Sequence, residues 1–545
     1  MPHNPVPQGA LDPRERHFLM PTRVLWTSGA GVEHPEALLA DDDTACILRP
    51  TKGASEHPAI LLDFGSELHG GLRLDVPAIK PHQPGRLRVR FGESASEAMG
   101  TPNQDHAIHD TEILVATMGH TEVGCTGFRF ARVDLLEPEA IVNLRAAKAV
   151  FLYRNLEYHG NFECDDERLN RVWSTGAYTV HLCMQDFVWD GIKRDRWVWI
   201  GDLHPEAQVI STVFGEHPIV PASLDQLRDR TPLPGWMNGI SSYSLWWILL
   251  HRDWYRYHGN LSYLREQRAY LLGLLDRVAA TVDIEGMEHL DGRRFLEWPT
   301  SEDPVAMDAG LQALVTLSLQ GGAWLCEVLG EKGAASRFRA VAERASRYRR
   351  APTPAKQANA LAVLAGMCGA EETNRAILAV DPHRGLSTFY GYYVLQARAM
   401  AGDTQGCLDL LRAYWGGMLD LGATTFWEGF DLDWTPNATR IDELPIPGRP
   451  DIHADFGNWC YQGLRHSLCH GWAAGPTAWL TEHVLGLSPA TPGFARLTVA
   501  PHLGDLQWAR GTLPTPKGLI TVEHERRSDG SVNSKVTAPE GVVGS

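Results

Sequence analysis

The 545-residue sequence lacks most of what would mark it for a nucleic acid, a membrane or a metal. Its 50 lysines and arginines are outnumbered by 66 acids, for a formal net charge of −16, and they form no basic block. Such a balance gives no electrostatic footing for nucleic acid or an anionic bilayer. No segment approaches the roughly eighteen uncharged apolar residues of a spanning helix. Met1-Pro-His-Asn-Pro-Val-Pro has no basic start followed by an apolar run, so export is not expected and a cytoplasmic location is. The nine cysteines are odd in number and none form a C-x-x-C pair, which argues against a disulfide framework and against a zinc site. They read as reduced, mostly buried small hydrophobes. G-x-S-x-G, P-loop, H-E-x-x-H and dinucleotide fingerprints are missing, and His204-Pro-Glu206 has no second histidine at ligand spacing. Neither a metal nor an organic cofactor is implied, and a neutral small molecule suits the charge better than a charged one.

What is present in excess is tryptophan, in one place. Fifteen of the eighteen tryptophans lie between Trp189 and Trp479, interleaved with carboxylates. Pyranose C–H faces pack on indole rings while sugar hydroxyls need acceptors, so this mixture suits a carbohydrate cleft.

The hydrophobic period changes twice along the chain. Up to about residue 157, alternating runs such as Leu72-Arg-Leu74-Asp-Val76 and Leu87-Arg-Val89-Arg-Phe91, separated by Gly and Pro clusters, predict a β-sandwich. From Asp165-Asp166, an acidic cap precedes Leu169, Val172, Trp173, Gly176 and Val180 on one helical face. Helical stretches then alternate with Gly- and Pro-marked joints to about residue 486, enough chain for about a dozen helices. Among them, Leu311 to Leu329 and Ala334 to Ser346 predict a helical hairpin closed by Gly330 to Gly333. After Leu485-Gly486, strand signals return in Phe494 to Val499 and Leu519 to Glu523, ending in a polar tail. The expected domains are 1–157, 158–486 and 487–545.

Two clusters could carry chemistry. Asp190-Gly-Ile-Lys-Arg194-Asp195-Arg196-Trp-Val-Trp199-Ile-Gly-Asp202 holds three acids at offsets that a helix would spread around its circumference, so a loop entering a helix near Pro205 is expected. There the acids either converge on a cavity or pair with Arg194 and Arg196 as salt bridges. Thr424-Thr-Phe-Trp-Glu428-Gly-Phe sets one carboxylate among aromatic neighbours, where burial tunes a carboxyl for proton transfer or backbone N–H groups simply satisfy it. Phe295-Leu-Glu297-Trp298, Trp246-Trp247 and Ser467 to Trp472, with His470, are further candidates. Two carboxylates from distant positions beside an aromatic cleft favour glycoside hydrolysis.

These motifs, with the Ser467 to Trp479 region and in this order, resemble glycoside hydrolase family 78, the α-L-rhamnosidases. The family pattern D-C-P-x-R-E-R-x-G-W-x-G-D is met without a gap by Asp190, Arg194, Asp195, Arg196, Trp199, Gly201 and Asp202. Gly191-Ile192 replaces its Cys-Pro and Val198 its Gly, and Asp195 stands where the general acid is usually Glu, which suggests a divergent subgroup. The resemblance implies an (α/α)6 barrel of six helical hairpins flanked by an N-terminal β-sandwich and a small C-terminal β-sandwich domain. It implies an inverting, exo-acting α-L-rhamnosidase with Asp195 as acid and Glu428 as base. Asp190 and Asp202 would bind sugar hydroxyls, His470 would match a family histidine near the sugar, Arg194 would hold the carboxylates in register, and Trp199 and Trp298 would supply apolar walls. The expected partner is a small carbohydrate, with no nucleic acid and no membrane; a homodimer would form through the exposed sandwich, although no residue pattern requires one.

The same barrel also hosts glycosidases acting on other sugars, phosphorylases and polysaccharide lyases, and fold does not fix function. An unsaturated product would mark a lyase and phosphate dependence a phosphorylase. A non-catalytic carbohydrate-binding protein would bind without turnover, a reading against which the retention of both Asp195 and Glu428 argues.

Overall fold

The computed structural model describes residues 12–51, 56–100, 109–449, 451 and 462–544. These residues form two compact units: 12–91, 109–156 and 184–187 make the first, and 92–100, 157–183 and 188–544 the second.

The first unit is a β-sandwich. Its larger sheet centres on two long antiparallel strands, Ala59–Val76 and Gly119–Leu135, registered as Ile60 with Val133 and Leu74 with Thr121. A smaller sheet contains Cys46–Leu48, Ala78–Lys80 and Ile141–Leu144. Leu72, Leu74, Val76, Leu87, Val89 and Phe91, the apolar members of the predicted alternating runs, are all buried, and they share one core with Leu48, Ile79 and Val142 of the smaller sheet. The period-two pattern thus places one face of each sheet inward.

The second unit opens with a short helix, α1 (Ala95–Met99), on a segment that leaves the sandwich. Ser94 Oγ accepts from Glu97 N at 3.1 Å and Glu97 Oε2 accepts from Glu93 N at 2.9 Å, a reciprocal arrangement of the capping-box kind. Next comes α2 (Glu167–Cys183), started where the sequence placed it: Asp166 Oδ1 accepts from Arg168 N at 2.8 Å. The remaining helices are α3 (Ile200–Val213), α4 (Ile219–Arg230), α5 (Ser241–His258), α6 (Leu261–Ala279), α7 (Pro304–Val328), α8 (Lys332–Arg347), α9 (Lys356–Leu364), α10 (Ala370–Thr373), α11 (Gly391–Met400), α12 (Thr404–Leu410), α13 (Gly416–Asp420) and α14 (Gly475–Trp479).

Among the described residues, α3, α5, α7, α9, α11 and α14 each pack on the next, and α14 returns to α3, so that six helices close a ring. Helices α2, α4, α6, α8, α10 and α12 lie against its members. Composition sorts inside from outside. Every residue of α3 is buried, as expected of a helix enclosed on all sides, whereas α8 buries one stripe, Ala335, Phe338, Val341, Ala342 and Ala345. The predicted hairpin is α7 and α8. It begins seven residues earlier than its apolar pattern suggested, because Asp303 Oδ1 accepts from Val305 N and Ala306 N, both at 3.0 Å, and Pro304 occupies the first turn.

The C-terminal strands form two small sheets. One holds Trp508–Thr515, Gly518–Arg526 and Val532–Thr537, so part of the expected polar tail is an outer strand. The same sheet takes in Asn161–Cys164, which immediately precedes α2 in sequence and pairs antiparallel with Trp508–Thr515.

Candidate active site

The loop ahead of α3 is folded back on itself. Asp190 N donates to Trp197 O, and Trp197 N to Asp190 Oδ1, both at 3.0 Å. Closing so few residues turns the chain sharply at Asp195 and Arg196, which lie in the left-handed region with φ of 54° and 57°. Such a conformation costs an L-residue roughly 1–2 kcal/mol. Asp tolerates it better than Glu, which gives the shorter acid at this position a backbone reason.

Helix α3 starts at Ile200, not near Pro205, which lies inside it. Its first N–H is met from a distant segment: Ile200 N donates to Asn238 Oδ1 at 3.1 Å, while Asn238 Nδ2 donates to Val198 O at 3.0 Å. A cap supplied from 38 residues away leaves no local signal in the sequence.

Two further loops meet this one. Gly471 N donates to Asp190 O at 2.7 Å and His470 N to Phe426 O at 2.9 Å. Glu428 N donates to Ser467 O at 3.0 Å, and Glu428 O accepts from Thr388 Oγ1 at 2.6 Å and Trp472 Nε1 at 2.8 Å. Hydrogen bonds therefore fix the backbone at Asp190 and at Glu428.

The three loops and the N-terminal ends of α3 and α5 line a cavity of about 320 Å³. The eight residues to which the resemblance gives a role all reach it: Asp190, Arg194, Asp195, Trp199, Asp202, Trp298, Glu428 and His470. The arginines do not pair with Asp190 and Asp202. Instead, the Arg194 guanidinium lies between two other carboxylates, with Nη1 3.4 Å from Asp195 Oδ2 and Nη2 bonded to Glu428 Oε2, while its Nε donates to Arg465 O at 3.1 Å. The two carboxylates differ in access: the Asp195 side chain is 33% exposed and that of Glu428 only 4%.

The other acids sit deeper. Tyr243 OH donates to Asp202 Oδ2 at 2.9 Å, and His470 Nε2 lies 3.7 Å from Asp190 Oδ2 and 3.9 Å from both Asp202 Oδ1 and Glu428 Oε1. Burial pushes the Asp202 carboxyl up to about 8, against the Tyr243 hydrogen bond. Burial, then repulsion from Asp202, holds Asp190 well above the usual carboxylate range. Asp202 therefore keeps a proton at neutral pH and can donate to a hydroxyl oxygen. Burial also lowers His470 to about 4, so its imidazole is neutral.

Aromatic rings complete the walls. Trp199 stands edge-on to Tyr243 with centroids 6.0 Å apart, and Trp298 edge-on to Phe295 at 5.2 Å. The Arg293 guanidinium lies over Phe295 and Trp298, 5.4 and 5.5 Å from their centroids. Tyr243, Arg293 and Arg465 were not anticipated. Arg293 precedes a candidate run by two positions, and Tyr243 lies one helical turn before Trp246, but only the ring closure brings them together. The paired candidates Trp246-Trp247 do not reach this cavity. Trp246 lines a separate one of about 180 Å³ bordered by later residues of α3, α5 and α11, and Trp247 is buried with its Nε1 3.4 Å from Leu224 O.

Comparison with known proteins matches this architecture. Residues 157–360 match the family described as bacterial alpha-L-rhamnosidase 6 hairpin glycosidase domain, and residues 486–544 the bacterial alpha-L-rhamnosidase C-terminal domain. An alpha-L-rhamnosidase of Alteromonas sp. (strain LOR) is 32% identical over 126 residues, which are 23% of this chain and 11% of that protein. The GH78 rhamnosidase of Bacillus sp. GL1 superposes with a TM-score of 0.76 at 23% identity, over 94% of this chain and 56% of its own. A rhamnosidase from Klebsiella oxytoca, solved with rhamnose bound, gives a TM-score of 0.67 at 20% identity, over 86% of this chain and 96% of its own. The chain thus spans about half the length of the Bacillus structure and about a tenth of the Alteromonas protein. With the Asp190 to Asp202 and Glu428 motifs in one cavity at the end of a six-membered helical ring, residues 157–360 and 486–544 are similar to the two bacterial alpha-L-rhamnosidase domains, and the fold is that of the solved GH78 rhamnosidases.

Proposed function

We propose that this cavity hydrolyses terminal α-L-rhamnosyl groups of small glycosides with inversion at the anomeric carbon. The observation that carries the reading is a single guanidinium, Arg194, set between an accessible carboxyl, Asp195, and a buried one, Glu428. Their difference in access supports the division of roles. A leaving group departs toward solvent, so the acid that protonates the glycosidic oxygen belongs at the mouth, where Asp195 is. The base deprotonates a water on the opposite face of the ring and belongs inside, where Glu428 is held as a carboxylate by its ion pair with Arg194.

A cavity of about 320 Å³ is at the small end of ligand sites, about 300–1,000 Å³. It suits one terminal sugar rather than a stretch of polymer. Asp190, protonated Asp202 and neutral His470 are fitted to hydroxyls, and the faces of Trp199 and Trp298 to the C6 methyl of a 6-deoxysugar. Neither proton transfer calls for a metal or an organic cofactor.

The test is cleavage of an aryl α-L-rhamnoside, with the product anomer followed by NMR, for the unaltered protein and for Asp195→Asn and Glu428→Gln. Turnover that releases β-rhamnose first and collapses in both variants is expected. Release of α-rhamnose first would reject inversion, and no turnover would reject the sugar.

A further inference from the structure

The mechanism makes no use of a second buried charge cluster, which lies directly behind the loop that carries the acid. Lys193 is 1% exposed, and its Nζ is 3.0 Å from Glu97 Oε1 and 3.7 Å from Glu93 Oε2. Both carboxylates are buried too, and both come from the segment around α1 that leaves the sandwich. The same lysine donates to the carbonyls of Leu464 and, at 3.0 Å, His466. Glu93 Oε2 accepts from Leu468 N at 2.6 Å. Three formal charges thus meet at the point where the chain ahead of Asp195 passes the chain from Leu464 to Leu468.

Each contact adjoins a residue of the active cavity. Lys193 immediately precedes Arg194. His466 Nε2 accepts from Gly429 N at 3.0 Å, next to the base, and Ser467 O accepts from Glu428 N. Leu468 lies two residues before His470. The α1 segment is itself held by residues further back, Ile441 and Asp451: Ala95 N donates to Ile441 O at 2.8 Å and Ser96 Oγ to Asp451 Oδ2 at 2.6 Å. Burial pushes the Glu93 carboxyl up to about 8, with Lys193 opposing, so near neutral pH Glu93 keeps its proton and the cluster avoids a net buried charge.

We propose that Glu93, acting through Lys193 and Leu468 and supported by Glu97, is a positioning residue that sets the Asp195 loop against the Glu428 loop. The inference rests on the acid–base assignment above, but its geometry can be tested without turnover. A cluster that merely adds stability would loosen the unit generally. A positioning cluster should loosen two loops together, 190–199 and 464–472, and leave the outer helices α6 and α8 unchanged.

The experiment compares full-length protein with Glu93→Ala and Glu93→Gln by amide hydrogen exchange, alongside kcat and KM on an aryl α-L-rhamnoside. Glu93→Ala should raise exchange in both loops and lower kcat about 100-fold, the scale of a misplacement near 1 Å, with KM changed less than about threefold. Glu93→Gln keeps an acceptor for Leu468 N and resembles the protonated native group. It should restore protection and bring kcat back to within about fivefold, the scale of one weakened hydrogen bond. Exchange altered in one loop only, in neither, or across all helices alike overturns the proposal, as does Glu93→Ala with native kcat. Should the unaltered protein leave the rhamnoside intact, the reaction assignment fails while the exchange patterns still decide the positioning role.

Discussion

Arg194 touches Asp195 with one nitrogen of its fork and Glu428 with the other, so one side chain fixes the relation between two carboxylates 233 positions apart in the sequence. Its third contact, to Arg465 O, orients the plane of the fork. Lysine carries the charge but cannot span both partners. Arg194→Lys is expected to lower kcat/KM for an aryl α-L-rhamnoside about 100-fold, mostly in kcat. A variant within about threefold of native would show that the bridge is incidental.

The left-handed turn at Asp195 and Arg196 predicts an unusual order of stabilities. Arg196 has no short side chain to compensate its φ of 57°, and its guanidinium is 6.0 Å from the Trp189 ring centroid. Arg196→Ala loses that contact and keeps the strain, whereas Arg196→Gly loses the contact and removes about 1 kcal/mol of strain. Thermal unfolding should therefore rank Gly above Ala at this position, the reverse of their ranking in a helix. Equal melting temperatures would mean that the turn is unstrained.

Gly201 in α3 has a similar local significance. A methyl group there would fall 2.5 Å from Tyr243 Cε1 and 2.8 Å from its Cζ, on the ring whose hydroxyl bonds Asp202. Gly201→Ala should push Tyr243 off Asp202 and cost about 1–3 kcal/mol, as overpacking does. Rhamnose affinity, read by calorimetry, should weaken with it. Retained affinity would show that the ring can shift without disturbing the acid.

Much of this was legible in the sequence, and the remainder was hidden for identifiable reasons. Alternation in Leu72 to Val76 and in Leu87 to Phe91, the Asp166 cap and the α7–α8 hairpin were readable because each depends on neighbours within a turn or a strand. The eight site residues were named from the family resemblance, and the structure lines one cavity with them. Tyr243, Arg293 and Arg465 were not, because they reach the cavity from segments related only by the closure of the ring. The start of α3 depends on Asn238, and the Glu93–Lys193 cluster on a segment that exchanges one compact unit for the other, which strand periodicity does not record.

Three buried carboxyls, Glu93, Asp202 and Glu297, are each raised to about 8 from ordinary values of 4.5, 3.8 and 4.5, with burial the largest cause. Folded protein holds these protons where unfolded protein has released them, so their stabilisation is complete below the ordinary values and is lost as pH rises through 8. His251 and His470, lowered to about 4 by burial, act oppositely, but only below their ordinary 6.5. The melting temperature should therefore fall between pH 6.5 and 8, at a cost of about 1.4 kcal/mol for each pKa displaced by one. Glu297→Gln should flatten that fall; an unchanged slope would assign it to other groups.

The pairing of Asn161–Cys164 with Trp508–Thr515 ties the chain just before its first ring-flanking helix to the chain well after its last. Helices α2 to α14 are consequently an insertion between two adjacent strands, and neither end of the ring is free to fray. Truncation at residue 486, where family similarity would suggest a cut, would leave Asn161–Cys164 without its neighbour and open its backbone groups to other chains. Cutting a surface turn between outer helices would instead leave this strand pair intact, so a nick there should be tolerated where trimming at residue 486 is not.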